Sequence, residues 1–200
     1  VFTGDGISYL QKLDKLDWIF VDPARRKESQ RVFRLEDCEP NVIDLKNLFF
    51  EKADRVMIKT APLLDIQQTL SDLDSVKEVH IISVNNDCKE VLYLLEKGYS
   101  DEAQIVCINL KKDTQEEFSF TFTQERSTVN QYSVPLTYLY EPNSSIMKSG
   151  AFKSIASKYG FYKLHQHSHL YTSKELVSEF PGRSFKITGN IHPDKKSLAK

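Results

Sequence analysis

The stretch Trp18-Ile19-Phe20-Val21-Asp22-Pro23-Ala24-Arg25-Arg26 decides the fold class predicted for this chain of 200 residues. Four apolar residues in succession are typical of a β-strand that is buried on both faces. An Asp-Pro pair directly after such a strand indicates a turn at its carboxyl end, where open α/β sheets bind their ligands. We therefore expect Asp22 to lie in a functional crevice, although the same pair also suits a connection with no role beyond the turn.

The segments around this stretch repeat an alternation of short strands and amphipathic helices up to about Leu110. Further strands are predicted at residues 55–58, 79–84 and 104–110, and helices at residues 7–13, 42–50, 64–73 and 88–97. Strands that alternate with helices predict βα units on a mostly parallel sheet. Residues 1–134 are thus expected to form an α/β domain with part of a Rossmann-like, doubly wound sheet.

The pattern changes after Pro135, where the predicted elements become shorter. They are a strand at 136–140, a helix from Asn143 or Ser144 to about Tyr159, a strand at 161–171, a short helix at 175–180 and a strand at 184–187. This order predicts a small α+β module of ferredoxin-like type over residues 135–188. Residues 189–200 are expected to be a tail or the start of a further, truncated domain.

Charge is distributed unevenly, although it nearly cancels over the whole chain. The 27 Lys and Arg residues and 28 Asp and Glu residues give a net charge of −1, but residues 1–110 sum to −6 and residues 111–200 to +5. Such asymmetry indicates a separate module that faces an anionic partner. Three widely spaced cysteines without a C-x-x-C pair predict a reducing compartment, and we expect the cytoplasm.

The start of the chain suggests that further sequence precedes it. Val1-Phe2-Thr3 is typical of the end of a strand, without an initiating methionine, and it continues into the turn Gly4-Asp5-Gly6. Two successive predicted strands therefore end in an aspartate, first Asp5 and then Asp22. Because both would lie at the same edge of the sheet, we expect them to face one crevice.

This arrangement resembles the second half of a class I, Rossmann-fold S-adenosylmethionine-dependent methyltransferase. The resemblance implies that Asp5, with the backbone of Gly6 and Ile7, binds the adenine of the cofactor. It also implies that Asp22-Pro23-Ala24 forms the catalytic loop that positions the group to be methylated. A carboxylate and a backbone carbonyl can together accept both hydrogens of an amine and orient its lone pair.

Further segments extend the resemblance to a family of bacterial methyltransferases with a ferredoxin-like and THUMP-like C-terminal region. The segments that carry it are Lys59–Asp65, Ser83–Glu90, Tyr138–Asn143, His169–Ser173 and Phe180–Arg183, together with Asp22–Arg26. They cover most of the chain. Members of that family have further sequence at both ends, which implies that this chain is truncated.

The sequence departs from the family pattern in two ways. It lacks the glycine-rich loop that holds the methionine end of the cofactor, and Tyr9 stands at the third glycine position after Gly4-x-Gly6. We therefore expect the 200-residue chain to bind S-adenosylmethionine weakly or not at all, and a longer chain to bind it. Arg25 stands where amino-methylating enzymes often have an aromatic residue. Because residues 59–62 contain no nucleophilic cysteine, an amino or other heteroatom acceptor is favoured over pyrimidine carbon.

RNA, either ribosomal or transfer RNA, is the partner predicted from the basic residues. The residues predicted to bind its phosphates are Arg25, Arg26, Lys59, Lys148 and Arg183. Nearby aromatic residues suit stacking on bases; they are Tyr138, Tyr140, Phe161, Tyr162 and Tyr171. A lysine-rich surface over an aromatic core explains the same residues equally well.

His165, His167 and His169 alternate along a predicted strand and would place three imidazoles on one face, as in some zinc sites. No cysteine or carboxylate lies beside them, so we expect no metal and favour a strand that faces solvent or RNA. The sequence as a whole predicts a methyltransferase that acts on RNA. The alternative is a non-catalytic RNA-binding adaptor with a decayed methyltransferase fold, and an intact glycine-rich loop upstream would exclude it.

Overall fold

The structure is a computed structural model that describes residues 3–25 and 34–189. The helices are α1 (Gly6–Leu10), α2 (Val42–Lys52), α3 (Ile66–Asp72), α4 (Phe122–Ser127), α5 (Ser144–Ser149) and α6 (Ser154–Tyr159). The strands are β1 (Ile19–Val21), β2 (Ala24–Arg25), β3 (Cys38–Glu39), β4 (Arg55–Thr60), β5 (Val76–Val84), β6 (Asp87–Glu96), β7 (Gln104–Leu110), β8 (Gln115–Phe120), β9 (Tyr138–Pro142), β10 (Tyr162–Lys163), β11 (Tyr171–Ser173) and β12 (Gly182–Lys186). None of the helices in these ranges is long and apolar enough to cross a bilayer.

Six strands form the larger sheet in the order β1-β4-β6-β5-β7-β8. The pairs β1–β4 and β5–β7 are parallel, and the other three pairs are antiparallel. The predicted α/β class is confirmed, but the sheet is mixed because the segment predicted as a helix at residues 88–97 forms β6 up to Glu96. Asn85 and Asn86, both at positive φ, turn the chain directly from β5 into β6. Consecutive residues at positive φ are typical of a tight hairpin turn, and asparagine tolerates that conformation.

One face of the larger sheet, which we call the inner face, holds the core. Side chains such as Val79, Ile81 and Tyr93 are buried there, and α2 and α5 contact its strands. The opposite face, which we call the outer face, remains partly exposed, and Phe20 on β1 is 60% exposed. The prediction that residues 18–21 are buried on both faces is therefore wrong for the part of the chain that the structure describes.

The second sheet is antiparallel, with the strand order β10-β11-β9-β12. Its module runs β9-α5-α6-β10-β11-β12, which differs from the predicted alternation of strands and helices. The helix predicted up to Tyr159 ends first at Gly150, whose φ of 79° terminates α5. The strand predicted at 161–171 folds back on itself to form the β10–β11 hairpin, and residues 175–180 form no helix.

Helix α5 joins the two sheets, since it packs on β5, β6 and β7. Asn143 caps this helix, and its Nδ2 donates to Oε2 of Glu116 on β8 at 3.0 Å. Asn109 Nδ2 on β7 donates to the same oxygen at 2.8 Å. The backbone N–H of Ser144 donates to Oδ1 of Asn86 at 2.7 Å. Polar contacts, partly buried at Glu116 and exposed at Asn86, therefore hold the ferredoxin-like module on the larger sheet.

Candidate functional site

Asp22 lies directly after β1, beside the carboxyl end of the parallel strand β4. Lys59 on β4 places its Nζ 2.5 Å from Asp22 Oδ2 and 3.6 Å from Glu90 Oε1. The hydrogen bond to Asp22 raises the pKa of Lys59 against the opposing effect of burial, and Glu90 adds to the rise. Lys59 is therefore a cation that joins two carboxylates, one from each neighbouring strand.

A hollow of about 200 Å³ opens beside these three charged groups. Its other walls include Pro23, Cys38, Thr60, Ala61, Leu64 and Lys89. Its walls thus offer carboxylate acceptors and ammonium donors together with apolar side chains such as Pro23, Ala61 and Leu64. Such a hollow can enclose a small planar group and accept hydrogen bonds from an amine at its edge.

A second hollow of about 400 Å³ lies on the other side of Asp22 and is mostly apolar. Its walls include Gly6, Ile7 and Leu10 of α1, the strand residues 19–21 and Phe49 of α2. Asp22 lines both hollows. A ligand in each hollow would therefore meet the other at the Asp22 carboxylate.

Asp5 caps helix α1 and directly precedes Gly6, which lines the second hollow. Its Oδ1 accepts from the backbone N–H of Ile7 at 3.1 Å, and its Oδ2 accepts from the N–H and the hydroxyl of Ser8. These hydrogen bonds, of which the Ser8 hydroxyl makes the largest contribution, lower the pKa of Asp5. Since a carboxylate has about four acceptor positions, the cap leaves one of them on Oδ1 for a ligand.

The residues predicted to bind phosphate do not form one cluster. Lys59 is paired as described above, and Lys148 lies beside the first hollow, where its Nζ donates to the Leu64 carbonyl at 2.9 Å. Arg183 pairs with Glu141 and contacts a separate hollow of about 330 Å³ at the junction of the two sheets. Arg26 lies outside the described residues, and only the backbone of Arg25, in β2, is described.

The three histidines do not form the predicted row along a strand, because they lie in the loop between β10 and β11. The ring of His169 stacks on Phe152 with centroids 3.6 Å apart, while His165 and His167 lie 5.4 Å from each other. Burial, assisted by the charge of Lys163, lowers the pKa of His169. Within residues 3–25 and 34–189, no three histidine, cysteine or acidic side chains are placed to hold a metal ion.

Sequence reasoning missed Glu90 as a member of the site, because it placed this residue in a helix. The Asn85-Asn86 pair, typical of a tight turn, directly before the continuous apolar run at residues 91–95 is the signal of a strand that could have placed it. Among the aromatic residues predicted to stack on RNA, Tyr140, Phe161 and Tyr171 are buried in the core of the second module. For these three side chains the structure supports the interpretation as core.

Comparison with known proteins supports this fold. A family described as a ferredoxin-like domain matches residues 138–181. A crystal structure from Porphyromonas gingivalis W83, of a protein described as a proposed methyltransferase, is 37% identical over 86% of this chain with a TM-score of 0.81. The match covers 43% of that protein, so this chain spans less than half of its length. A comparison with curated proteins found no match.

Proposed function

We propose that this methyltransferase-like chain forms part of the active site of an S-adenosylmethionine-dependent enzyme that methylates an amino or other heteroatom group in RNA. The observation that carries this proposal is the position of Asp22, which borders an apolar hollow and a polar one. A methyl donor and an acceptor need two such compartments that meet at one point. The similarity to the Porphyromonas gingivalis protein, at 37% identity, supports the same reaction class.

The apolar hollow fits the adenosine end of the cofactor. Ile7 and Leu10 offer apolar contact for a flat ring, and Asp5 keeps one acceptor position for an exocyclic amino group. The walls of this hollow contain no lysine or arginine, so its described residues offer no cationic partner for the methionine carboxylate. When bound, S-adenosylmethionine supplies an electrophilic methyl group on a sulfonium.

The polar hollow fits the acceptor. Lys59 holds Oδ2 of Asp22, which leaves Oδ1 to accept a hydrogen bond from the acceptor amine. The Pro23 ring fixes φ at this position, so the backbone of the loop is pre-organised beside the carboxylate. An amine that donates both of its hydrogen bonds to fixed acceptors has its lone pair held in one direction. The side chain of Asp22 lies between this amine and the second hollow. Because Lys59 is protonated, it positions Asp22 and does not act as a base.

RNA is the acceptor that the charge distribution favours. Residues 136–200 carry a net charge of +6. Lys148, from this basic part of the chain, donates to the carbonyl of Leu64, a residue that lines the polar hollow. We assign the reaction to the cytoplasm, because three widely spaced cysteines without a C-x-x-C pair suit a reducing compartment.

Replacement of Asp22 by alanine in the full-length protein tests the proposal. We expect the transfer of labelled methyl groups to unmodified ribosomal and transfer RNA to fall by about 100-fold or more, because the amine loses its orientation. The Kd for S-adenosylmethionine, measured by calorimetry, should change by less than about threefold. Asp54→Ala is the matched control, since Asp54 is an exposed carboxylate that pairs with Lys15 beyond the opposite end of β4.

Three outcomes would contradict the proposal. Asp22→Ala could retain its turnover, or it could lose cofactor binding to the same extent as methyl transfer. The wild-type protein could also bind RNA without methylating any of it, which would favour the adaptor with a decayed fold.

A further inference from the structure

Tyr93 on β6 has an unpaired hydroxyl group in the core of the larger sheet. The residue is 0% exposed, and its Oη makes no hydrogen bond with any residue that the structure describes. Burial raises the pKa of Tyr93 to about 12, so the hydroxyl keeps its proton at neutral pH and is available as a donor. A buried polar group without a partner costs free energy, and such groups are rare in folded proteins.

Two threonine hydroxyls lie near this oxygen, although neither is placed to bond to it. Thr60 on β4 and Thr69 on α3 are both buried, and both oppose the rise in the pKa of Tyr93. The hydrogen of Thr69 is already used, since its Oγ1 donates to the Asp65 carbonyl at 2.8 Å. Thr60 is held less firmly, because its Oγ1 donates to the Val91 carbonyl at 3.4 Å. The Thr60 hydrogen is therefore the one that a closer acceptor can redirect.

Thr60 also borders the polar hollow. It is the last residue of β4, directly after Lys59, and it lines this hollow together with Asp22. Strand register places Thr60 opposite Val91, and Tyr93 follows on the same face of β6 two residues later. Thr60 therefore links the hollow to the surroundings of the unpaired Tyr93 hydroxyl.

We propose that the Thr60 hydroxyl binds the acceptor group and that Tyr93 is a positioning residue, which holds this hydroxyl in the required orientation. When the acceptor enters the hollow, the Thr60 hydroxyl turns from the Val91 carbonyl and donates to a carbonyl oxygen or ring nitrogen of the acceptor. Tyr93 Oη then donates to Thr60 Oγ1, so the Tyr93 hydroxyl gains its partner in the complex. This assignment rests on the proposed methyl transfer, because it takes the polar hollow as the acceptor site.

Replacement of Thr60 by valine in the full-length protein removes the hydroxyl with little change of shape. We expect the KM for the RNA that the wild type methylates to rise by about tenfold, because one hydrogen bond is lost, and kcat to change by less than about threefold. Thr60→Ser retains a hydroxyl and should return the KM to within about threefold of wild type. The Kd for S-adenosylmethionine should stay within about twofold in both variants, since the described walls of the apolar hollow do not include Thr60.

Tyr93→Phe separates a positioning role from a structural one. We expect kcat/KM to fall by about threefold to tenfold, while the melting temperature stays the same or rises, because an unpaired buried hydroxyl is removed. Tyr171→Phe is the matched control, since Tyr171 is also 0% exposed but its hydroxyl donates to the Phe152 carbonyl at 2.9 Å. The control should lower the melting temperature by about 2 °C or more and leave kcat/KM within about twofold of wild type.

The double variant, Thr60→Val with Tyr93→Phe, tests whether the two hydroxyls act together. Its kcat/KM should match that of Thr60→Val within about twofold, whereas independent roles would multiply the two losses. Multiplied losses would overturn the proposal, and so would a wild-type KM in Thr60→Val or a loss of stability in Tyr93→Phe as large as in Tyr171→Phe. If Asp22→Ala abolishes methyl transfer while Thr60→Val and Tyr93→Phe match wild type, this assignment alone is wrong. If the wild type transfers no methyl group to RNA, the proposed function fails together with this assignment.

Discussion

Glu116 is the carboxylate on which the junction between the two sheets depends, and its removal is the sharpest test of that junction. Its Oε2 accepts hydrogen bonds from Asn109 at 2.8 Å and Asn143 at 3.0 Å, and its Oε1 pairs with Lys111. Asn109 and Asn143 are only 1% and 2% exposed. Water can still reach the site from the hollow of about 330 Å³ at the junction, which Asn109, Glu116 and Asn143 line.

Glu116→Ala leaves two buried amide groups without this acceptor. Each unsatisfied buried group costs about 1–3 kcal/mol, and water in the hollow offsets part of the loss, so we expect the free energy of unfolding to fall by about 2–3 kcal/mol. The pair with Lys111 contributes less than about 1 kcal/mol, since that lysine is largely exposed. Urea denaturation followed by circular dichroism measures the difference.

Two variants separate this mechanism from a general effect of substitution. Glu116→Gln keeps an oxygen that can accept from both asparagines, so we expect a loss below about 1 kcal/mol at pH 7. Glu117→Ala removes the next carboxylate along β8, which is exposed, and should change stability by less than about 0.5 kcal/mol. If Glu116→Ala unfolds at the same urea concentration as Glu117→Ala, the junction does not depend on Glu116.

The pH dependence gives a second test of the same contacts. Burial by itself would raise the pKa of Glu116, but hydrogen bonds from Asn109, Lys111 and Asn143 outweigh it and hold the pKa below the usual 4.5. A carboxyl group whose pKa is lower in the folded state adds stability above its unfolded pKa and loses it as the pH falls through the folded pKa. The stability difference between wild type and Glu116→Gln should therefore shrink below about pH 4.5. A difference that stays constant from pH 7 to about pH 3 would refute this account.

Two further predictions concern packing and thiol reactivity. Gly182→Ala should lower the free energy of unfolding by about 1–3 kcal/mol in urea denaturation, because its Cβ would lie 2.2 Å from the Glu141 carbonyl oxygen. Burial raises the pKa of Cys107 to about 12, so at pH 8 we expect iodoacetamide, followed by mass spectrometry, to modify half-buried Cys88 first and Cys107 only on unfolding.

Controls for these two predictions are available within the chain. Gly6→Ala matches Gly182→Ala, since a Cβ at Gly6 has no neighbouring atom within 4 Å. An equal loss of stability in both variants would contradict the steric argument. For the cysteines, alkylation in concentrated urea should modify both sites together, and earlier modification of Cys107 in the native protein would contradict its burial.

The sequence correctly predicted those helices and strands whose local residue pattern fits only one type of secondary structure. The apolar run before Asp22 identified β1 and the turn at its carboxyl end, and α2 was predicted within two residues of its observed end. Residues 88–97 were assigned wrongly, because apolar residues at 91, 92, 94 and 95 fit both a helix and a doubly covered strand. The Asn85-Asn86 turn decides between them, and its effect depends on pairing with β5.

The candidate site was predicted only in part, because some of its residues lie on elements with an ambiguous local pattern. Asp22 and Lys59 follow from their places at the ends of two strands, and the structure does bring them together. Glu90 was missed because its strand was missed. The contact between Lys148 and Leu64 joins residues that are distant in sequence, and it arises only when α5 packs on the sheet. No local pattern encodes such a contact.

The position of β6 also affects how the chain folds during its synthesis. β6 lies between β4 and β5 in the sheet, although it follows both along the chain. Because translation adds about 5–20 residues per second, the edge of β4 emerges seconds before β6, whereas only two residues separate β5 from β6. Hairpins form in about 1–10 μs, so β5 and β6 can pair as soon as Glu96 is free and then add to β4 as a unit. The interval before that addition is when the nascent chain presents unpaired strand edges to chaperones and to other chains.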